Sequence, residues 1–235
     1  MTHRLWQRIL AEGIGTFFIV FGACGAVIAD SVSAGAVTLA GIAFVPGLIV
    51  FAMIAALGPI CAAHFNPAVT LAFAIAKRFP WRRVPAYVAA QAAGALIAAG
   101  ALGALFGPDA ALRVSYGAHI PNTTPGAAFG FEVLYGFLLM LVIMAVATDA
   151  RAPAGIAAPA IGLTVAAAIY LGGPISGASM NPIRSLAPAL FAGGAALQAL
   201  PIYLLAPIIG AALAALTYEA LRDDRRHARS APHEW

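Results

Sequence analysis

Gly58-Pro59-Ile60-Cys61-Ala62-Ala63-His64-Phe65-Asn66-Pro67 returns 115 residues later, without a gap, as Gly173-Pro174-Ile175-Ser176-Gly177-Ala178-Ser179-Met180-Asn181-Pro182. The register continues past the motif, where Leu71-Ala72 meets Leu186-Ala187. Upstream, Glu12 has a counterpart in Glu132; downstream, Tyr87 and Gly94 pair with Tyr203 and Gly210. Chance similarity between Ala-rich and Gly-rich segments would not keep polar residues in register. The chain reads as two copies of one unit, about residues 5–106 and 127–221.

The surroundings of the repeat place it in lipid. Of 235 residues, 62% are hydrophobic and only 9% charged, against roughly a quarter charged in a soluble domain. So few charges cannot cover a water-soluble body. Six segments approach the ~20 apolar residues a spanning helix needs: about 5–29, 35–57, 84–106, 127–148, 156–171 and 200–221. The first is too long for a signal-peptide core and contains Glu12, so it is read as a retained span. Two further apolar stretches, starting at Asn66 and Asn181, are too short to cross. Three spans per copy force the second copy to insert upside down. The expected fold is an all-α membrane protein of six transmembrane helices plus two half-helices in an inverted repeat. Residues 1–221 are expected to form one transmembrane channel domain, and 222–235 a cytoplasmic tail.

Charge sets the orientation. With an even number of spans both termini share one side, which collects Arg4, Arg8, Lys77, Arg78, Arg82, Arg83, Arg151, Arg222, Arg225, Arg226 and Arg229. Only Arg113 and Arg184 belong to the other. The positive-inside rule puts both termini in the cytoplasm of a cell membrane. The net charge of +4 sits at span edges, as membrane anchors do, so no nucleic-acid partner is implied. Cys24 and Cys61, both in apolar surroundings, support neither a disulfide framework nor a metal site.

Each copy carries Asn-Pro at the start of its half-helix. Asn is a favoured N-cap, and Pro is preorganised for the first helical position. An inverted repeat brings the two positive helix ends together near the midplane, with the amides of Asn66 and Asn181 as donors there. Such a place disfavours cations and protons and suits the oxygen of water or an alcohol. Arg184 breaks the repeat where Val69 stands in the first copy. An intramembrane Arg is expensive and marks a functional site by default; a structural ion pair with Glu12 or Glu132 is the alternative. The two glutamates read as buried braces that accept backbone N–H bonds from the half-helix loops, with a proton relay as their alternative.

His64-Phe65-Asn66-Pro67-Ala68-Val69-Thr70 resembles the first signature of the aquaporin, or major intrinsic protein, family. Ser176-Gly177-Ala178-Ser179-Met180-Asn181-Pro182-Ile183-Arg184-Ser185 resembles the second. The resemblance covers nearly the whole chain. It implies pore motifs at Asn66, Pro67, Ala68 and at Asn181, Pro182, Ile183. The family usually has Ala at the last of these, so Ile183 implies a bulkier apolar wall at the constriction. It also implies a selectivity filter of Pro46, Ile169, Ala178 and Arg184, with His64 lining the cytoplasmic vestibule, and a homotetramer with one pore per subunit. Water-specific relatives carry an aromatic residue and a histidine where Pro46 and Ile169 stand, so a wider, less polar opening is expected. If Pro46 shifts the register of its helix, Phe44 faces the pore instead. Glycerol facilitators usually follow the filter Arg with Asp, whereas Ser185 follows here. The second motif is similar to the plant nodulin-26-like branch and its bacterial relatives, which is associated with glycerol, urea and metalloid hydroxides such as arsenous and boric acids.

The expected function is a passive channel for water and small uncharged solutes, with no cofactor and no enzymatic activity. A water-selective aquaporin is one alternative. A secondary transporter is another, since inverted repeats and broken helices occur there too, but it needs a coupling-ion site. A Ser-His hydrolase built from Ser176 or Ser179 with His64 lacks an orienting acid and a strained elbow. Cys61, placed in the extended loop before Asn66, offers either a mercury-reactive thiol or a small buried side chain.

Overall fold

The computed structural model describes residues 3–222; the predicted tail beyond Arg222 lies outside the described residues. Nine α-helices occur among those described: α1 Leu5–Val32, α2 Thr38–Cys61, α3 Pro67–Ile75, α4 Val84–Phe106, α5 Pro108–Arg113, α6 Pro125–Thr148, α7 Ala157–Gly172, α8 Pro182–Ala192 and α9 Gly194–Leu221. The six long helices are the expected spans, and α3 and α8 are the half-helices.

Several boundaries move from their sequence expectation. α2 continues through Gly58-Pro59 to Cys61. Pro59 removes one backbone donor, but a mid-helix Pro is tolerated in a membrane bundle. Cys61 therefore sits in a helix rather than in an extended loop, fully buried, with its thiol donating to the Leu57 carbonyl at 3.4 Å. α9 starts at Gly194 rather than near Leu200, because Gly193 (φ +69°) turns the chain directly out of α8. α7 has 16 residues, short of a nominal span, whereas five other helices are long and apolar enough to cross a membrane. Three elements lie outside the sequence expectation: a 3-10 turn at Trp81–Arg83 before α4, and, in the linker between the copies, α5 and a 3-10 turn at Ser115–Gly117.

The packing follows the repeat. α1 packs on α4 in one copy and α6 on α9 in the other, while α2 and α7 cross between copies. Close approach explains the paired glycines. A Cβ on Gly94 would lie 2.1 Å from the Gly13 carbonyl oxygen, and one on Gly210 would lie 2.1 Å from that of Val133. Gly47 and Gly162 face each other in the same way, each with the other's carbonyl 2.6 Å from its would-be Cβ. Without a hydrophobic drive between helices in lipid, such small residues let backbones pack closely. Large apolar side chains such as Leu105, Leu134 and Leu213 point outward and are exposed, as lipid-facing residues would be.

Candidate functional site

The half-helices meet end to end. The Asn66 side-chain oxygen caps α3 by accepting from Ala68 N at 2.8 Å, and that of Asn181 caps α8 by accepting from Ile183 N at 3.1 Å. Because the oxygens cap, the amide groups face across the junction. Asn66 donates to the Met180 carbonyl at 2.7 Å, and Asn181 donates to the Phe65 carbonyl at 3.0 Å. One N–H of each amide is thus held by the opposite copy, and the second stays available to a solute. Pro67 and Pro182 occupy the first helical positions behind the caps.

The loops entering the caps are bent, not extended. Ala62, Ala63 and Phe65 have positive φ, and so do their repeat partners Gly177, Ala178 and Met180. Left-handed backbone is costly for residues with a side chain, roughly 1–2 kcal/mol each, so something must hold it. Glu12 accepts from His64 N and Phe65 N, both at 2.8 Å, and from the Gln91 amide at 2.8 Å. Glu132 accepts from Ser179 N at 3.0 Å, Met180 N at 3.1 Å and the Ser176 hydroxyl at 2.8 Å. Two tyrosines add a second tie: Tyr87 donates to the Cys61 carbonyl at 2.9 Å, and Tyr203 to the Ser176 carbonyl at 2.6 Å. Both glutamates and both tyrosines are fully buried.

A cavity of about 110 Å³ runs past this junction. Its wall includes Asn66, Asn181, Val69 and Met180, and also Pro46, Ile169, Ala178 and Arg184. Phe44 is 48% exposed and outside the lining, so Pro46 does not turn it inward. Ile183 corrects the sequence expectation: it is not part of the cavity wall but packs in a buried cluster with Val20, Cys24 and Leu102. The first position after Pro182 faces the neighbouring helices, so its bulk does not narrow the opening. Ala68 is likewise buried, away from the lining.

His64 lines the cavity near α3 and is also packed, with its ring against Phe73, Phe79 and Tyr87 and its Nδ1 3.1 Å from the Thr70 hydroxyl. Arg184 pairs with neither glutamate. Its NH1 donates to the Gly117 carbonyl at 2.7 Å and lies 3.3 Å from His119 Nδ1. Burial and the Arg184 charge hold the His119 imidazole well below the usual histidine range. Gly117 and His119 belong to the linker, which has no partner copy, and the repeat pattern that exposed the other site residues could not reveal them. Their only sequence signal was a lone histidine between two apolar units.

The sequence profile described as Major intrinsic protein matches residues 1–218. "Aquaporin NIP1-1" of Oryza sativa subsp. japonica is 45% identical over 220 residues, spanning 92% of this chain and 74% of that protein. "Nodulin-26" of Glycine max is 43% identical over 216 residues, spanning 92% of this chain and 78% of that protein. Among solved structures, the aquaglyceroporin from Plasmodium falciparum superposes with a TM-score of 0.82 at 21% identity, over 92% of this chain and 96% of that one.

Proposed function

The chain belongs to the major intrinsic protein family, and from that premise we propose that it is a passive membrane channel for water and small uncharged solutes, glycerol, urea or metalloid hydroxides among them. The observation that carries this reading is the junction. Two capped half-helix ends and two amides present donors to one cavity whose remaining wall is mostly apolar. Donors and positive helix ends suit a neutral oxygen and oppose a cation. Pro46, Ile169 and Ala178 supply three apolar sides of the selectivity filter, and Arg184 the polar side. A neutral solute shaped with hydroxyls on one face meets both.

The wider assignment belongs to the same proposal. Residues 1–221 form the channel domain and 222–235 a tail. The basic residues at the span edges place both termini in the cytoplasm of a cell membrane, so that Arg184 lies toward the outer mouth and His64 toward the inner one. Homotetramer assembly accords with the exposed apolar helix faces. Stopped-flow uptake of water, glycerol, urea and arsenite into proteoliposomes tests the function. Rates should exceed those of empty liposomes and be unchanged by an imposed ion gradient. Gradient-dependent uptake would instead make the protein a transporter.

A further inference from the structure

We propose that the cytoplasmic ends of α1 and α4 form a docking site for the headgroups of anionic phospholipids, built by Arg4 and Trp6 at the start of α1 and by Lys77, Trp81, Arg82 and Arg83 between α3 and α4. The inference rests on the orientation proposed above, which puts these ends in the inner leaflet.

The charges at this end of the molecule are unevenly neutralised. Asp149 pairs with Arg151 at 2.6 Å, and Glu219 pairs with both Arg78 and Arg222. Both carboxylates belong to the second copy. Arg4, Arg8, Lys77, Arg82 and Arg83 belong to the first, and none pairs with a carboxylate among the described residues. Glu12, one turn beyond Arg8, is already occupied by His64 N, Phe65 N and the Gln91 amide. Arg8 is buried and adds charge rather than contact. A cluster of roughly four to eight Lys and Arg at the cytoplasmic edge of a span attracts anionic headgroups. Nothing else among the described residues relieves the repulsion within this one.

The cluster is also fixed in place. Gly13 of α1 packs against Ala90 and Gly94 of α4. The first and third spans run the same way, so Leu5 and Val84 begin their helices at about one level. The segment leading into α4 is held from two sides. Arg78 N and Phe79 N donate to the Phe73 carbonyl at 2.8 and 3.2 Å. The Phe79 ring is buried against His64 and Tyr87, each with its centroid 4.7 Å away. The Arg78 side chain reaches across to Glu219 on α9. Around these ties, Lys77, Trp81 and Arg82 are exposed and Arg83 is half-buried. The backbone that displays them is therefore ordered before a ligand arrives, which lowers the cost of binding. Trp6 and Trp81 are 59% and 58% exposed, as rings at headgroup depth are. Beneath them Leu10 and Ile14 on α1, with Leu96 and Ile97 on α4, are exposed and offer acyl chains an apolar bed. Apolar below, aromatic at the edge and cationic above matches, layer by layer, a phospholipid with a negative headgroup.

The test measures the preference of the full chain for brominated phosphatidylglycerol over brominated phosphatidylcholine, by quenching of tryptophan fluorescence in proteoliposomes. Wild type should prefer the anionic lipid. Arg82→Gln with Arg83→Gln should weaken that preference by roughly fivefold per charge removed, the scale of one cation at a charged membrane surface. Arg82→Lys with Arg83→Lys should keep it. Arg113→Gln, which removes an exposed charge from the opposite end, should leave it unchanged. Salt at about 0.5 M should abolish the wild-type preference, because exposed charges are screened. Phosphatidylglycerol added to the protein in detergent should raise its melting temperature, and inorganic phosphate should not. Equal binding of the two lipids by wild type, or an unchanged preference in the double glutamine variant, would overturn the proposal. So would an equal loss in Arg113→Gln, or inorganic phosphate matching the lipid, which would make this a site for a soluble anion. If the glutamine variant does not fold, the salt titration decides, and a wild-type preference unmoved by salt would overturn the site. A lipid preference in protein that passes water and glycerol no faster than empty liposomes would support the site and overturn the channel reading.

Discussion

The Asn181 amide donates to the Phe65 carbonyl across the half-helix junction at 3.0 Å, and Asn66 returns the bond to Met180 at 2.7 Å. Each asparagine therefore does two jobs with opposite ends of one side chain. The oxygen caps its own helix, and the nitrogen holds the other copy. Ala at either position should cost about 1 kcal/mol for the cap plus the cross-junction bond, with similar losses of melting temperature at both. Asp separates the jobs: it keeps the capping oxygen but turns an acceptor toward a carbonyl. Asn66→Asp and Asn181→Asp should melt below the Ala variants and admit cations. A large loss at one asparagine and none at the other would contradict the two-fold junction.

The glutamates make a second matched pair. Glu12→Gln and Glu132→Gln each leave one acceptor where two loop N–H groups now bond, and turn an NH2 toward a backbone N–H. One buried donor left without a partner costs about 1–3 kcal/mol. Both variants should lose melting temperature in detergent by comparable amounts, while Asp30→Asn, in the last turn of α1 where the side chain accepts from Thr38 N at an exposed site, should lose little.

The element order, the half-helix starts and the bracing glutamates were legible because each appears twice. A polar residue repeated in register across apolar sequence has few explanations. Features present once were harder to read. α5 and the linker turn carry no repeat, so His119 and the Gly117 carbonyl were invisible as partners of Arg184. The facing of Ile183 was missed for a different reason. A motif gives the residue type, but which side of a short helix it occupies depends on the entry angle of the preceding loop. That angle is set by three left-handed residues, Gly177, Ala178 and Met180, a backbone choice that Ala178 and Met180 do not advertise. The run of α2 to Cys61 was hidden because Pro59 reads as a stop signal in water but not within a packed bundle.

Close approach predicts which glycines cannot change. Gly94→Ala and Gly210→Ala drive a methyl group into the backbone of α1 and α6 respectively. Both contacts are with backbone, which cannot swing away, so each variant should lose folded yield severely. Gly130→Ala meets nothing within 4 Å and should express at wild-type level. Size-exclusion recovery of the three variants checks the contrast.

Arg184→Val removes the charge from the proposed filter. The junction donors remain, so neutral solute flux should be at least as fast as wild type while cation exclusion relaxes. A proton or sodium leak in proteoliposomes that stays at the wild-type level in a folded Arg184→Val variant would place the charge barrier elsewhere.

The last prediction concerns what passes. Water alone needs a narrow, polar opening, whereas glycerol or arsenous acid needs a wider one with an apolar wall opposite its hydrogen-bonding side. Pro46 and Ile169 line the cavity with Arg184, and Phe44 points away from it. In the proposed filter the width is therefore set by a proline and an isoleucine rather than by an aromatic ring. Pro46→Phe with Ile169→His fills the apolar side and adds a second polar group. Glycerol and arsenite permeability should fall toward that of empty liposomes while water flux persists. Neither single change should suffice, because each leaves one apolar wall intact. Wild-type protein that conducts water but excludes glycerol, urea and arsenite would show that the opening is already narrow. The guanidinium of Arg184 would then be the group closing it, and Arg184→Val should let glycerol through.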